Sequence, residues 1–147
     1  MIHISRSNMY PGHVLDTMLR AVVPDAIGVS TGPYGTFLHL ADDASLTHQN
    51  TAVNLLDNYG GLAVSTDKTS MNEGDVDPVI TVSSGDAELG YIVLLDGDEY
   101  DSGAVSVITG TATLNLVSPV AGAYQIFVYR KTGNYASGSV TIMVNEV

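Results

Sequence analysis

The side chains best suited to chemistry are few and dispersed. Four histidines, His3, His13, His39 and His48, all fall in the first third of the chain. Zinc takes three or four ligands at short recurring separations, often two His a helical turn apart. These four are scattered, and residues 1–61 contain no Glu, so the spacing assigns no metal site and no cofactor. The densest acidic run, Asp96-Gly97-Asp98-Glu99-Tyr100-Asp101, lacks the regular alternation and distal glutamate of a calcium loop. Asp-Gly is a preferred two-residue hairpin turn, so the run reads as a solvated turn, and Asp75 with Asp77 reads the same way. Gly28-Val29-Ser30-Thr31-Gly32 is not a nucleophile elbow, and Gly32-Pro33-Tyr34-Gly35 lacks a P-loop lysine. No set of role-playing residues converges, so no catalytic residue is assigned and the chain is expected not to be an enzyme.

Tyrosine is the other usable chemistry. Eight Tyr stand against two Phe and no Trp. A tyrosine offers ring area with a polar handle, which suits recognition of protein or carbohydrate. Tyr100 and Tyr135 fall near the ends of predicted strands and are the candidates for outward ligand contacts.

Residues 1–61 read as a small α+β region. Met1–Ile4 predicts a strand. Pro11-Gly12 opens a helix in which Val14, Leu15, Met18, Leu19 and Val22 share one face, and Pro24 stops it. Short apolar segments follow near Ile27–Ser30 and Thr36–Leu40, with a turn between them. A second helix is expected after Asp42-Asp43-Ala44-Ser45, whose side chains suit an N-terminal cap. Leu46, Ala52, Val53, Leu56 and Tyr59 lie near one face of it, and Gly60-Gly61 ends it. About sixty residues form a marginal unit on their own.

From Leu62 the apolar period changes to two. Strands are predicted near 62–66, 79–84, 90–95, 104–108, 111–117, 123–130 and 137–146, punctuated by Gly-containing turns. About seven short strands in residues 62–147 is the count and size of an immunoglobulin-like sandwich. Tyr124 follows Ser118-Pro119-Val120-Ala121-Gly122, the place of a tyrosine corner, where the phenol bonds back to the preceding loop. With no cysteine in the chain, the core falls to Ile80, Val82, Ile92, Val93, Leu114, Leu116, Ile126, Val128, Ile142 and Val144.

Composition narrows the function classes. The chain of 147 residues is 45% hydrophobic and only 14% charged, with a net charge of −11. An average domain is about 25% charged, so part of this surface is expected to be covered by a partner or by other copies. In residues 1–61 two Arg against five Asp leave −3; in residues 62–147 three cations against eleven acids leave −8. Clustered Lys and Arg are what phosphate backbones need, so nucleic acid is not an expected partner. No run approaches the roughly 20 apolar residues of a membrane span, and no membrane partner is expected. The opening residues lack a secretory pattern, so synthesis and retention in the producer's cytoplasm are expected.

Ala63-Val64-Ser65-Thr66-Asp67-Lys68-Thr69-Ser70 and Glu73–Val82 resemble the opening of a bacterial immunoglobulin-like domain of the invasin type. Ala121–Tyr129 and Ser137–Ile142 resemble its ending. Such domains recur in surface adhesins and in bacteriophage virion proteins. An adhesin needs a secretion signal, whereas a phage protein is assembled in the host cytoplasm. The chain thus resembles a phage head decoration (cement) protein, whose residues 1–61 would grip the major capsid protein and whose residues 62–147 would project outward. That resemblance implies a virion location on the capsid surface and a homo-oligomer, by analogy a homotrimer. Leu15, Leu19 and Phe37 are the expected capsid contacts. The alternatives are an adhesion or glycan-binding module of a fibre or tail using Tyr100 and Tyr135, and a neck or tail structural protein.

Overall fold

Local chemistry sets the element ends. In the computed structural model, which describes residues 1–147, the chain runs β1 (Ile2–Arg6), α1 (Gly12–Val22), β2 (Ala26–Gly32), β3 (Gly35–Leu40), α2 (Leu46–Asp57) and then eight strands. Helix α1 starts after Pro11 and ends with the Val23 amide on Leu19 O. Helix α2 has Ser45 as its N-cap, the side chain accepting from the His48 amide at 3.1 Å. That bond satisfies one of the free amides of the first turn. The chain divides into two compact units, Met1–Tyr59 with Gly133–Ala136, and Gly60–Thr132 with Ser137–Val147. The segment Gly133–Ala136 therefore departs from a simple division at 61/62.

In the first unit β1, β3 and β2 form an antiparallel sheet in that order. Period-two alternation sends Thr36, Leu38 and Leu40 to one face, where all three are buried. Val14, Leu15, Met18 and Leu19 of α1 and Ala52, Leu55 and Leu56 of α2 are buried with them. Leu46, expected on the apolar face of α2, is instead exposed, and Val53 is only half-buried; Thr51 and Leu55 take the buried places. Leu46 is the first helical residue, ahead of the turn that packs. Buried Thr36 is fully bonded, accepting from the Tyr10 amide at 3.1 Å and donating to Asn8 O at 2.9 Å. Arg6 clasps Asp57 through Nε at 2.6 Å and a second nitrogen at 3.0 Å.

The second unit contains β4 (Val64–Thr66), β5 (Ser70–Asn72), β6 (Val79–Ser83), β7 (Glu88–Leu95), β8 (Asp98–Ser106), β9 (Thr111–Asn115), β10 (Gly122–Arg130) and β11 (Ser137–Asn145). One sheet has the order β5-β11-β10-β7-β8 and the other β4-β6-β9. The chain switches sheets between β4 and β5, β5 running parallel to the end of β11, and crosses again from β5 to β6, β6 to β7, β8 to β9 and β9 to β10. Two sheets linked by such crossings over one core make an immunoglobulin-like sandwich. The core joins Ile80 and Val82 of one sheet to Val93, Tyr124, Ile126, Val128, Ile142 and Val144 of the other, with Met71, Leu89, Ala112 and Leu116 completing it. Ile92, expected inside beside Val93, takes the opposite face, because adjacent strand residues alternate. It is paired there with Phe127.

Tyr124 makes the corner bond, its hydroxyl donating to Val120 O at 3.0 Å while its ring is fully buried. Two strands depart from the sequence expectation. Asp98–Ser106 is a nine-residue strand rather than a short one near 104–108, and Ser70–Asn72 pairs where no strand was expected. Asp86 lies between β6 and β7 and accepts from Arg130 through Nε at 2.8 Å and a second nitrogen at 3.1 Å. These bonds hold the Asp86 carboxyl below the ordinary carboxylate range, burial opposing and Thr132 and Ser84 assisting.

Three measurements test this packing. Tyr124→Phe removes one hydrogen bond and should cost about 1 kcal/mol in urea unfolding. At Gly90 an added Cβ would lie 2.2 Å from Tyr129 Cζ, so Gly90→Ala should cost about 1–3 kcal/mol by overpacking. A carboxyl whose folded pKa is depressed stabilises fully above its unfolded value and loses that contribution as pH falls through the folded value. Asp86→Asn should therefore flatten the fall in urea midpoint below about pH 4, and an unchanged acid limb would contradict the clasp.

Candidate functional site

The site is built at the edge of the sandwich. Asp96 and Gly97 form the two-residue turn from β7 to β8, both with positive φ (51° and 90°), as a hairpin turn of this length favours. Asp96 Oδ1 accepts from the Ala123 amide at 2.9 Å, and the Asp96 amide donates to Ala123 O at 2.8 Å. The carboxylate at the start of the acidic run thus fastens the turn to β10. Beyond the turn the pairing register shifts: Leu94 faces Glu99, but Val93 faces Asp101. Tyr100 is the extra residue of this bulge, and a bulge re-aims the side chain that it carries.

The result is a crevice of about 190 Å³ between β8 and β9. Ile80, Val93, Ile126 and Leu114 give it apolar walls, and Tyr91, Tyr100, Asp101 and Asn115 supply polar groups. Tyr100 is 49% exposed and meets the Tyr124 ring edge-on, centroids 5.5 Å apart. Tyr91 donates to Asp101 Oδ2 at 3.1 Å, and Asp101 Oδ1 accepts from the Ser102 amide at 2.9 Å. Burial, followed by the Asp101 hydrogen bond and charge, pushes the Tyr91 phenol up. Small-molecule pockets run about 300–1,000 Å³, so this crevice suits one side chain or one sugar-sized apolar face. Strand β8 lies at the end of its sheet, exposed at every position but Val105, and its outer backbone groups are available for pairing.

The remaining candidates are placed as follows. Leu15 and Leu19 are corrected: both have 0% exposure, since the apolar face of α1 packs against the unit's own core and presents neither residue to a partner. Phe37 is half-buried and lies on the opposite sheet face by register with Ser5 and Ser30. Tyr135, half-buried, sits in the β10–β11 turn with φ of 54°; it belongs to the first unit, whereas Tyr100 belongs to the second. Asp75 accepts from the Asn72 amide at 2.8 Å and Asp77 from the Ser118 amide at 2.9 Å.

Sequence spacing missed one juxtaposition. His3 and His39 are direct cross-strand partners, with Nδ1 atoms 2.7 Å apart, and His39 Nε2 lies 2.7 Å from Ser30 Oγ. Burial first, then the charge of His3, lowers the His39 pKa. His48 pairs with Asp25, and His13 is exposed on α1. The sign available in the sequence was the placement of His3 and His39 one residue out of phase with the apolar positions, but only the β1–β3 register joins them.

No family model matches the chain, and no curated protein matches it. Among solved structures, the CARDB domain of a Pyrococcus furiosus protein, determined in complex with di-metal ions, is similar to 56% of this chain and spans 91% of its own. Sequence identity is 16% and the TM-score 0.36. A likeness of that order carries no argument about this chain, whose fold rests on its own strand order and pairing.

The crevice geometry is testable by substitution. Tyr100→Ala removes the edge-on contact with Tyr124 and should cost about 1 kcal/mol beyond ordinary surface changes. Equal urea midpoints for Tyr100→Ala and the parent would contradict the bulge that aims this ring.

Proposed function

We propose that the chain is a non-enzymatic structural protein of a bacteriophage virion, a capsid decoration protein that binds the outer surface of a shell and stabilises it. One observation carries this reading: the sandwich uses its carboxylates as fasteners and leaves a long edge free. Asp67 accepts from the Val79 amide at 2.9 Å, Asp77 from Ser118, Asp86 from Arg130 and Asp96 from Ala123. A scaffold braced in this way suits presentation of a fixed surface. The resemblance of residues 62–147 to invasin-type domains of virion proteins supplies the setting. In this reading the partner is the major capsid protein, the decoration is a homotrimer made in the host cytoplasm, and the small α+β region does the gripping. The contact then falls to the open sheet face that bears Phe37, with Leu15 and Leu19 acting only beneath it.

A second reading has its own observation. Tyr100, half-exposed beside an apolar crevice rimmed by Asp101 and Asn115, is suited to stacking on a sugar ring with polar groups at its edge. This is the adhesion or glycan-binding module of a fibre or tail.

Co-sedimentation separates the two. Full-length protein mixed with undecorated shells should pellet saturably, should not bind dissociated subunits, and should lose at least half of its binding in Phe37→Asp. Protein that stays in the supernatant at micromolar concentration contradicts the decoration reading. Retention on a glycan array that Tyr100→Ala abolishes would favour the second.

A further inference from the structure

We infer that His3 and His39 form a binding site for one divalent cation of the imidazole-preferring class, Zn²⁺, Ni²⁺ or Cu²⁺, on the open face of the three-stranded sheet. Imidazole suits these ions, and two rings already converge. The β1–β3 register sets His3 opposite His39. Because strand residues alternate, both stand on the face opposite buried Leu38 and Leu40. Their rings meet at 89° with centroids 4.8 Å apart, which brings the Nδ1 atoms within 2.7 Å of each other.

That geometry is close to a chelate. With Zn–N bonds of about 2.0–2.1 Å at a tetrahedral angle, two nitrogens on one ion stand about 3.3 Å apart, so the rings must part by roughly 0.6 Å and turn their Nδ1 lone pairs from each other onto the ion. Ser30 Oγ, 2.7 Å from His39 Nε2, acts as the outer partner. Accepting the Nε2 proton, it leaves the Nδ1 lone pair of His39 facing His3, as a hydrogen-bonded partner does for a ligating His. Without metal, His3 donates its Nδ1 proton to that lone pair. On binding, His3 passes to the tautomer protonated at Nε2 and its Nδ1 lone pair joins the ion, so no net proton is released. Water fills the remaining positions.

The face suits a cation in other respects. Ser5, Phe37 and Ser30 share it by register and none is basic. The cation at the β2 edge, Arg20, is tied to Asp16 and to Ile27 O. His13 and His48 serve as internal controls, the first exposed on α1 and the second engaged by Asp25.

The test is a Zn²⁺ titration of the ¹⁵N-labelled full chain, read at the histidine ring nitrogens by NMR. The Nδ1 signals of His3 and His39 should move together and saturate at one Zn²⁺ per chain, with those of His13 and His48 unmoved. His3→Asn and His39→Ala should each abolish the saturating shift, and Ser30→Ala should weaken binding about tenfold. The amide spectrum of each variant reports retention of the fold, and exposed His3 is the position whose replacement leaves packing intact. No saturable shift up to millimolar Zn²⁺, shifts that begin at His48 or His13, or parental affinity in folded His3→Asn would each overturn the site.

Discussion

Strand β10 fixes the second unit because it is paired on both sides and its alternation leaves no freedom of register. Tyr124, Ile126 and Val128 point into the sandwich core, while Gln125, Phe127 and Tyr129 take the other face. A slip of one residue would exchange these sets and bring Gln125 into the core, where its amide would need partners. The hydroxyl of Tyr124 on Val120 O ties the start of this strand to the loop before it, and Asp96 grips the preceding residue, Ala123. Gly122 completes the anchor: its φ of 149° and the nearness of Leu95 and Asp96 leave no room for a Cβ there.

What β10 fixes, β7 transmits to the edge. Pairing of Val93 with Ile126 and of Leu95 with Tyr124 sets the hairpin at Asp96-Gly97, and the bulge beyond it determines where Tyr100 lies. The crevice is thus a consequence of core register rather than of loop chemistry. Its walls are the core itself, and its acidic rim belongs to an edge strand. Charged side chains on such an edge discourage indiscriminate strand pairing.

Much of this was legible in the sequence where one face of an element is buried and the other wet. The α1 stripe, the Ser45 cap, the corner at Tyr124 and the alternation of β10 and β11 all follow from period and turn chemistry. Only the end of strand β8 was legible, because the strand is exposed along nearly its whole length and Asp98–Gly103 carries no apolar alternation. Strand β5 was missed because three residues hold too little pattern. Leu15 and Leu19 illustrate a different limit: an apolar helical face shows that something covers it, but not whether that is the chain's own sheet. The His3–His39 pair needed long-range register, which periodicity within each strand does not contain.

Amide hydrogen exchange resolved by NMR tests the central claim most directly, that residues 60–132 with 137–147 form a sandwich pinned at β10 with an open edge at β8. The account predicts the slowest exchange at Ile126, Val128 and Val93, and fast exchange at those β8 amides that point away from β7. Protection running at helical spacing through 120–130, or uniformly strong protection along both sides of β8 in the monomer, would contradict it.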